Sequence, residues 1–265
     1  IREVNMSKTR FIKVAAIITI IAAGLGTGAF FLQRSYQYNY ADIRSVAVNG
    51  DAKQLEAVIK HGADVNATDE DGRPVLFWAM RKPGNKDNIL ILINNGADVN
   101  FLYNQVSPLT MALTNLTDKE VFEALLAHGS DVNYYGVDGN TPLMLASAYQ
   151  SDPEVVKLLL AHGAKIDAIN DEGQTALMFA VVSNPNPQVL KALLDGGASV
   201  NLEDERGNTA FILASLKLKD SRFLDLLTLY GADIYHKNRD GKDALALVKE
   251  VSQQIENAKE ATAGN

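Results

Sequence analysis

His61, His128, His162 and His236, with the acidic runs Asp69-Glu70-Asp71, Asp171-Glu172 and Glu203-Asp204-Glu205, are the side chains whose types suit metal binding or proton transfer. Their spacing argues against both. His61, His128 and His162 each stand just before a glycine that recurs at a fixed interval. Stacked units at that interval hold such residues a helix-packing distance of roughly 8–10 Å apart, whereas zinc needs every ligand at ~2 Å. The acidic runs fall in turns with no apolar surroundings to raise a carboxyl pKa, so they read as solvated turn residues. The sequence has no cysteine, which excludes disulfides, thiolate nucleophiles and cysteine-ligated zinc. It has no P-loop, no G-x-S-x-G motif and no twelve-residue calcium loop. No metal, no cofactor and no catalysis are expected.

The elements that carry these residues repeat. Glycine recurs in one setting at Gly62, Gly96, Gly129, Gly163, Gly197 and Gly231, at spacings of 33 or 34 residues. The segments around it repeat too: HGADVN at 61–66, NGADVN at 95–100, HGSDVN at 128–133, HGAKID at 162–167, GGASVN at 196–201 and YGADIY at 230–235. A helical apolar stripe such as Val155-Val156-Lys157-Leu158-Leu159-Leu160 precedes each, and a second signature follows, best seen in Gly139-Asn140-Thr141-Pro142-Leu143 with Ala146. Thr141 suits a helix N-cap and Pro142 the first helical position. Asp152-Pro153 and Asn186-Pro187 open second helices in the same way, and Thr117 with Glu120 reads as a capping box. Each repeat glycine closes its helix in the left-handed conformation, and an Asp/Asn-rich finger follows.

This pattern resembles the ankyrin repeat, G-x-T-P-L-H-x-A followed by a second helix and G-A-D-x-N, over about residues 40–250. The resemblance implies an all-α solenoid of stacked helix-turn-helix pairs with finger loops, about seven pairs or part-pairs over residues 36–260. The ends drift toward polar caps: Ala41–Val48 with Ala52–Lys60 form the first pair, and Asp243 to about Lys259 the last part-pair. Residues 261–265 are expected as a disordered tail.

Residues 1–35 read as a signal-anchor or signal peptide. Residues 14–32, VAAIITIIAAGLGTGAFFL, carry no charge and follow Lys8, Arg10 and Lys13. As a helix they reach roughly 28 Å, near the hydrocarbon thickness of a bilayer. The positive-inside rule leaves the N-terminus in the cytoplasm and the repeats on the far side. Thr27-Gly28-Ala29 offers a cleavage site, while Phe30, Phe31 and Leu32 lengthen the span and favour a retained anchor. Met6 looks a better start than Ile1.

Residues 1–34 carry five basic side chains and one acidic, leaving 20 basic and 31 acidic in the rest, a balance of −11. Such a body opposes nucleic-acid binding and suits a basic or neutral protein partner. Ankyrin proteins bind through finger tips and inner-helix ends. The second and third fingers read Phe101-Leu102-Tyr103-Asn104 and Tyr134-Tyr135-Gly136-Val137, where a solvated turn gains nothing from large apolar groups. The candidate partner-binding residues are therefore Phe101, Leu102, Tyr103, Tyr134, Tyr135 and Val137, with Arg81, Asn115 and Tyr149 at inner-helix ends. The competing reading packs some of these rings between fingers, and Trp78 fits core or interface equally.

A small membrane-targeted ankyrin protein facing the periplasm resembles the ankyrin-type immunity proteins that neutralise lipase effectors of type VI secretion. That resemblance implies an inhibitor, monomeric apart from its partner, at the bacterial inner membrane, or free in the periplasm if cleaved. The alternative is a periplasmic scaffold or protector, like the ankyrin proteins associated with bacterial catalase activity.

Overall fold

The structure, a computed structural model, describes residues 40–217 and 221–263. The helices are α1 (Tyr40–Asn49), α2 (Ala52–Lys60), α3 (Val75–Met80), α4 (Lys86–Asn94), α5 (Pro108–Asn115), α6 (Lys119–Ala127), α7 (Pro142–Tyr149), α8 (Pro153–Ala161), α9 (Ala176–Ser183), α10 (Pro187–Asp195), α11 (Ala210–Lys217), α12 (Ser221–Leu229) and α13 (Ala244–Ala263). Odd-numbered helices pack on odd-numbered neighbours and form an inner layer, while the even-numbered helices form an outer one. α13 continues the inner layer against α11 and runs past the expected tail boundary at residue 261. Among the described residues no helix is long and apolar enough to cross a membrane. The uncharged run at 14–32 lies outside them.

Local sequence explains where the helices start. Ser107 and Thr141 accept a bond from the backbone three residues on, and Pro108 and Pro142 occupy the first turn, where a missing N–H costs nothing. Asp152 and Asn186 cap the outer helices α8 and α10 ahead of Pro153 and Pro187. The expected Thr117–Glu120 capping box does not form. The N-cap of α6 is Asp118, without a side-chain cap bond, and Glu120 instead accepts from Lys86 Nζ of α4 at 3.4 Å. The helix starts one residue later than the motif requires, so Thr117 is not in the cap position. His61, His128 and His162 stand one residue before positive-φ glycines, and each ring Nδ1 donates to the carbonyl four residues back, at 2.6, 2.8 and 2.9 Å. Their work is closing helices.

The inner helices α3, α5, α7 and α9 bury most of their side chains. Leu109, Leu143 and Leu177 are at most 2% exposed, and Ala112, Ala146 and Ala180 are fully buried at the contacts between inner helices. Burying each such leucine contributes about 1.5–3 kcal/mol.

Two polar ladders bind one repeat to the next. In the first, the asparagine that ends the recurrent G-A-D-x-N segment reaches forward. Asn66, Asn100 and Asn133 donate to the carbonyls of Gly96, Gly129 and Gly163 at 2.9 Å, and their Oδ1 atoms accept from the N–H of Asp98, Asp131 and Lys165. Asn201 repeats this with Gly231 and Asp233. Asp167 cannot donate, and Ser199 complements it by donating both its N–H and its hydroxyl. Tyr235 takes this place in the last repeat and is 78% exposed.

In the second ladder, buried amides reach back to the carbonyls that inner helices leave without partners at their C-terminal ends. Asn85 and Asn88 donate to Ala47, Gln150 to Leu113 and Leu116, and Asn184 to Ser147 and Gln150.

Candidate docking face

Each finger is an extended segment that turns back into the next inner helix. In the fourth, fifth and sixth fingers a buried Asn170, Asp204 or Asn238 accepts two backbone N–H groups at the turn. Backbone bonds then join finger to finger: Asp171 N–H to Asp138 at 3.1 Å, Glu205 to Glu172 at 3.0 Å and Arg239 to Arg206 at 3.0 Å. The acidic fingers are thus hydrogen-bonded turns.

The second finger is built differently. Being one residue shorter, it closes between Tyr103 and Val106 with Asn104 and Gln105 at φ 50° and 60°. Asp138 at the third finger has φ 57°. Asparagine and aspartate tolerate this region, but glutamine is strained there. Gly136 fits beside this turn because it lacks a side chain: a Cβ there would stand 3.1 Å from the Gln105 carbonyl oxygen.

The expected partner-contact residues divide according to the two-residue alternation of an extended chain. Phe101 and Tyr103 turn inward. Both pack half-buried against the core, with ring centroids 6.4 and 5.0 Å from that of Phe77 in α3 and not between fingers. Tyr134 is also half-buried. The residues between turn outward: Leu102 is 56% exposed and Tyr135 48%. Val137 and Tyr149 are exposed as well, as are Arg81 and Asn115. Arg81 lies over the Phe77 ring at 5.6 Å.

Ile169, missed in the sequence, belongs with this set at 54% exposure. It stands two residues beyond Asp167, as Leu102 and Tyr135 stand beyond Asn100 and Asn133, so the register could have found it. Val182, near the end of α9, is exposed as well.

Trp78 is half-buried and belongs to a structural cluster. Its indole N–H donates to Asp69 at 3.2 Å, and Arg73 lies 4.7 Å above its ring. Arg73 also donates to Asp69 at 2.7 Å and pairs with Asp71. Burial pushes the Asp69 carboxyl pKa up, but hydrogen bonds from the Arg73 backbone and guanidinium, the Asp71 N–H and Trp78 outweigh it and hold the pKa below the ordinary 3.8.

The middle of the domain is strongly acidic. Residues 101–205 contain fourteen Asp and Glu and four Lys, a net of −10. Lys119, Lys157 and Lys191 are paired with Glu123, Glu154 and Asp195 on outer helices. Among the described residues no three His, Asp or Glu converge as a metal site.

The family profile described as ankyrin repeats matches this sequence three times, over residues 43–135, 109–204 and 143–238. No curated protein matches it. Among solved structures, the ankyrin repeat domain of human ASB11 is similar at 27% identity and a TM-score of 0.67, over 77% of this chain and 90% of that one. An ankyrin repeat domain from Acinetobacter baumannii AYE is similar at 28% identity and a TM-score of 0.62, over 72% of this chain and 98% of that one.

Proposed function

Because this chain belongs to the ankyrin-repeat family, whose stacked repeats serve as protein-interaction modules, we propose that it docks one protein partner on its fingers and inner-helix ends and blocks that partner's activity. One observation carries the reading. Leu102, Tyr135, Val137, Ile169 and Tyr149 stay exposed in neighbouring repeats, while the flanking fingers are polar. Large apolar groups gathered in one region of a surface mark an interface. Arg81 and Asn115 extend the same face.

The partner that best suits the whole sequence is a lipase directed at envelope phospholipid, with this chain as its inhibitor. Residues 14–32 station the repeats on the periplasmic side of the inner membrane, where phospholipid is attacked. An acidic domain attracts a basic enzyme across several ångströms of solution.

The test is affinity capture from bacterial cells with the full chain, in parallel with a Leu102→Asp/Tyr135→Asp/Ile169→Asp variant. The expected result is one stoichiometric lipase, retained by the natural chain, lost by the variant, and inhibited in phospholipid hydrolysis when the natural chain is added. Recovery of a catalase would replace the inhibitor reading with a protective scaffold. Equal recovery of the partner by both chains would remove this face as the docking surface.

A further inference from the structure

Six equivalent residues, each two beyond the inter-repeat linker, run in single file across the fingers: Thr68, Leu102, Tyr135, Ile169, Glu203 and Lys237. All six are exposed. The three central ones are large and apolar, and the outer three are polar. In the fingers of the central three, the neighbouring residues turn inward: Phe101, Tyr103, Tyr134, Ala168 and Asn170 are buried or half-buried. Of the large apolar side chains in these three fingers, only Val137, two residues beyond Tyr135, is exposed beside the file. Neighbouring fingers ride on stacked helices, so its members are spaced roughly 8–10 Å apart.

A chain lying along this file must offer one side chain per repeat, always on the same face. A polyproline-II segment does so, because three residues make one turn and advance about 9.3 Å. A β-strand returns to the same face every two residues, about 6.6 Å, and falls out of step. An α-helix returns to one face with a comparable advance only at the seventh residue, about 10.5 Å, past the upper end of that spacing. Charge defines the rest of the occupant: the repeats beneath the file carry the net −10 of residues 101–205.

We propose that Leu102, Tyr135 and Ile169 receive an extended, polyproline-II-like segment of the partner, with an apolar residue at every third position and Lys or Arg among those between. This rests on the protein-docking reading above.

A random dodecapeptide library displayed on phage, selected on the full chain and counter-selected on a Leu102→Ser/Tyr135→Ser/Ile169→Ser variant, tests it. Enriched peptides should carry apolar residues three apart with basic residues between. They should bind the natural chain at least about tenfold more tightly than the variant, as expected when anchor side chains lose their seats. Apolar spacing of two, or the three-four alternation of a helix, would overturn the proposal, as would failure to enrich any peptide that depends on the file. The affinity capture described above separates the two readings. A partner lost by the file variant, alongside peptides without period three, keeps the docking face and removes the extended segment. A partner indifferent to the file removes both.

Discussion

Asn133 donates its side-chain amide to the carbonyl of Gly163, 2.9 Å away in the next repeat, and the same amide's oxygen accepts the N–H of Lys165 at 2.9 Å. One side chain thus satisfies a donor and an acceptor of its neighbour. Asn133→Ala removes both bonds, and at about 0.5–1.5 kcal/mol for each net hydrogen bond the loss should total about 1–3 kcal/mol. The urea midpoint should fall while the helical content of the folded baseline stays the same.

Two glycines with similar backbones should respond differently to alanine. Gly163 has φ +86° and a Cβ there would meet nothing within 4 Å, so the cost is conformational, about 1 kcal/mol. Gly173 has φ +73°, and a Cβ there would stand 3.0 Å from the Glu205 nitrogen, which bonds Glu172 across the fingers. Gly173→Ala should lower the thermal midpoint clearly more than Gly163→Ala. Equal shifts would show that the fingers yield freely.

Acid should loosen the first finger. The Asp69 pKa is depressed in the folded state, so its ionisation contributes stability that is fully present above the unfolded value and lost as pH falls through the folded one, below 3.8. Trp78 is the sole tryptophan and bonds this carboxylate directly. Its fluorescence should change through that acid window, and Asp69→Asn should remove the change and flatten stability there.

Neighbouring finger residues should separate folding from docking. Phe101→Ala or Tyr103→Ala strips a ring from the Phe77 cluster and should cost about 2–3 kcal/mol, less than a fully buried aromatic. Leu102→Ser, Tyr135→Ser and Ile169→Ser, at exposed sites, should each change unfolding free energy by less than about 0.5 kcal/mol. A large loss of stability in the second group would make those side chains structural.

The solenoid was legible because its period governs several independent features at once: caps at Thr141 and Asp152, the helix-ending glycines and the interlocking apolar faces. The Thr117–Glu120 box misled because Asp118, also a cap-forming residue type, stands next to Thr117, and the helix begins after it. At the fingers, residue type alone could not divide Phe101 from Leu102, since both are large and apolar. The extended chain's alternation divides them, and the same count beyond Asp167 would have added Ile169. The strained turn at Gln105 had no signal, because the residue is not one that favours positive φ.

The tyrosine at position 235 bears on how such an array can lengthen. A duplicated unit inserted after Asn100 or Asn133 would find an amide ready on one side and could offer its own on the other. A unit grafted directly behind Tyr235 would meet a phenol, whose single oxygen sits at the far end of a rigid ring and not beside the backbone, where asparagine holds its amide. Growth by tandem duplication is therefore open in the interior, whereas at this position it calls for an asparagine, or for an acid met by a matching serine as Asp167 is met by Ser199.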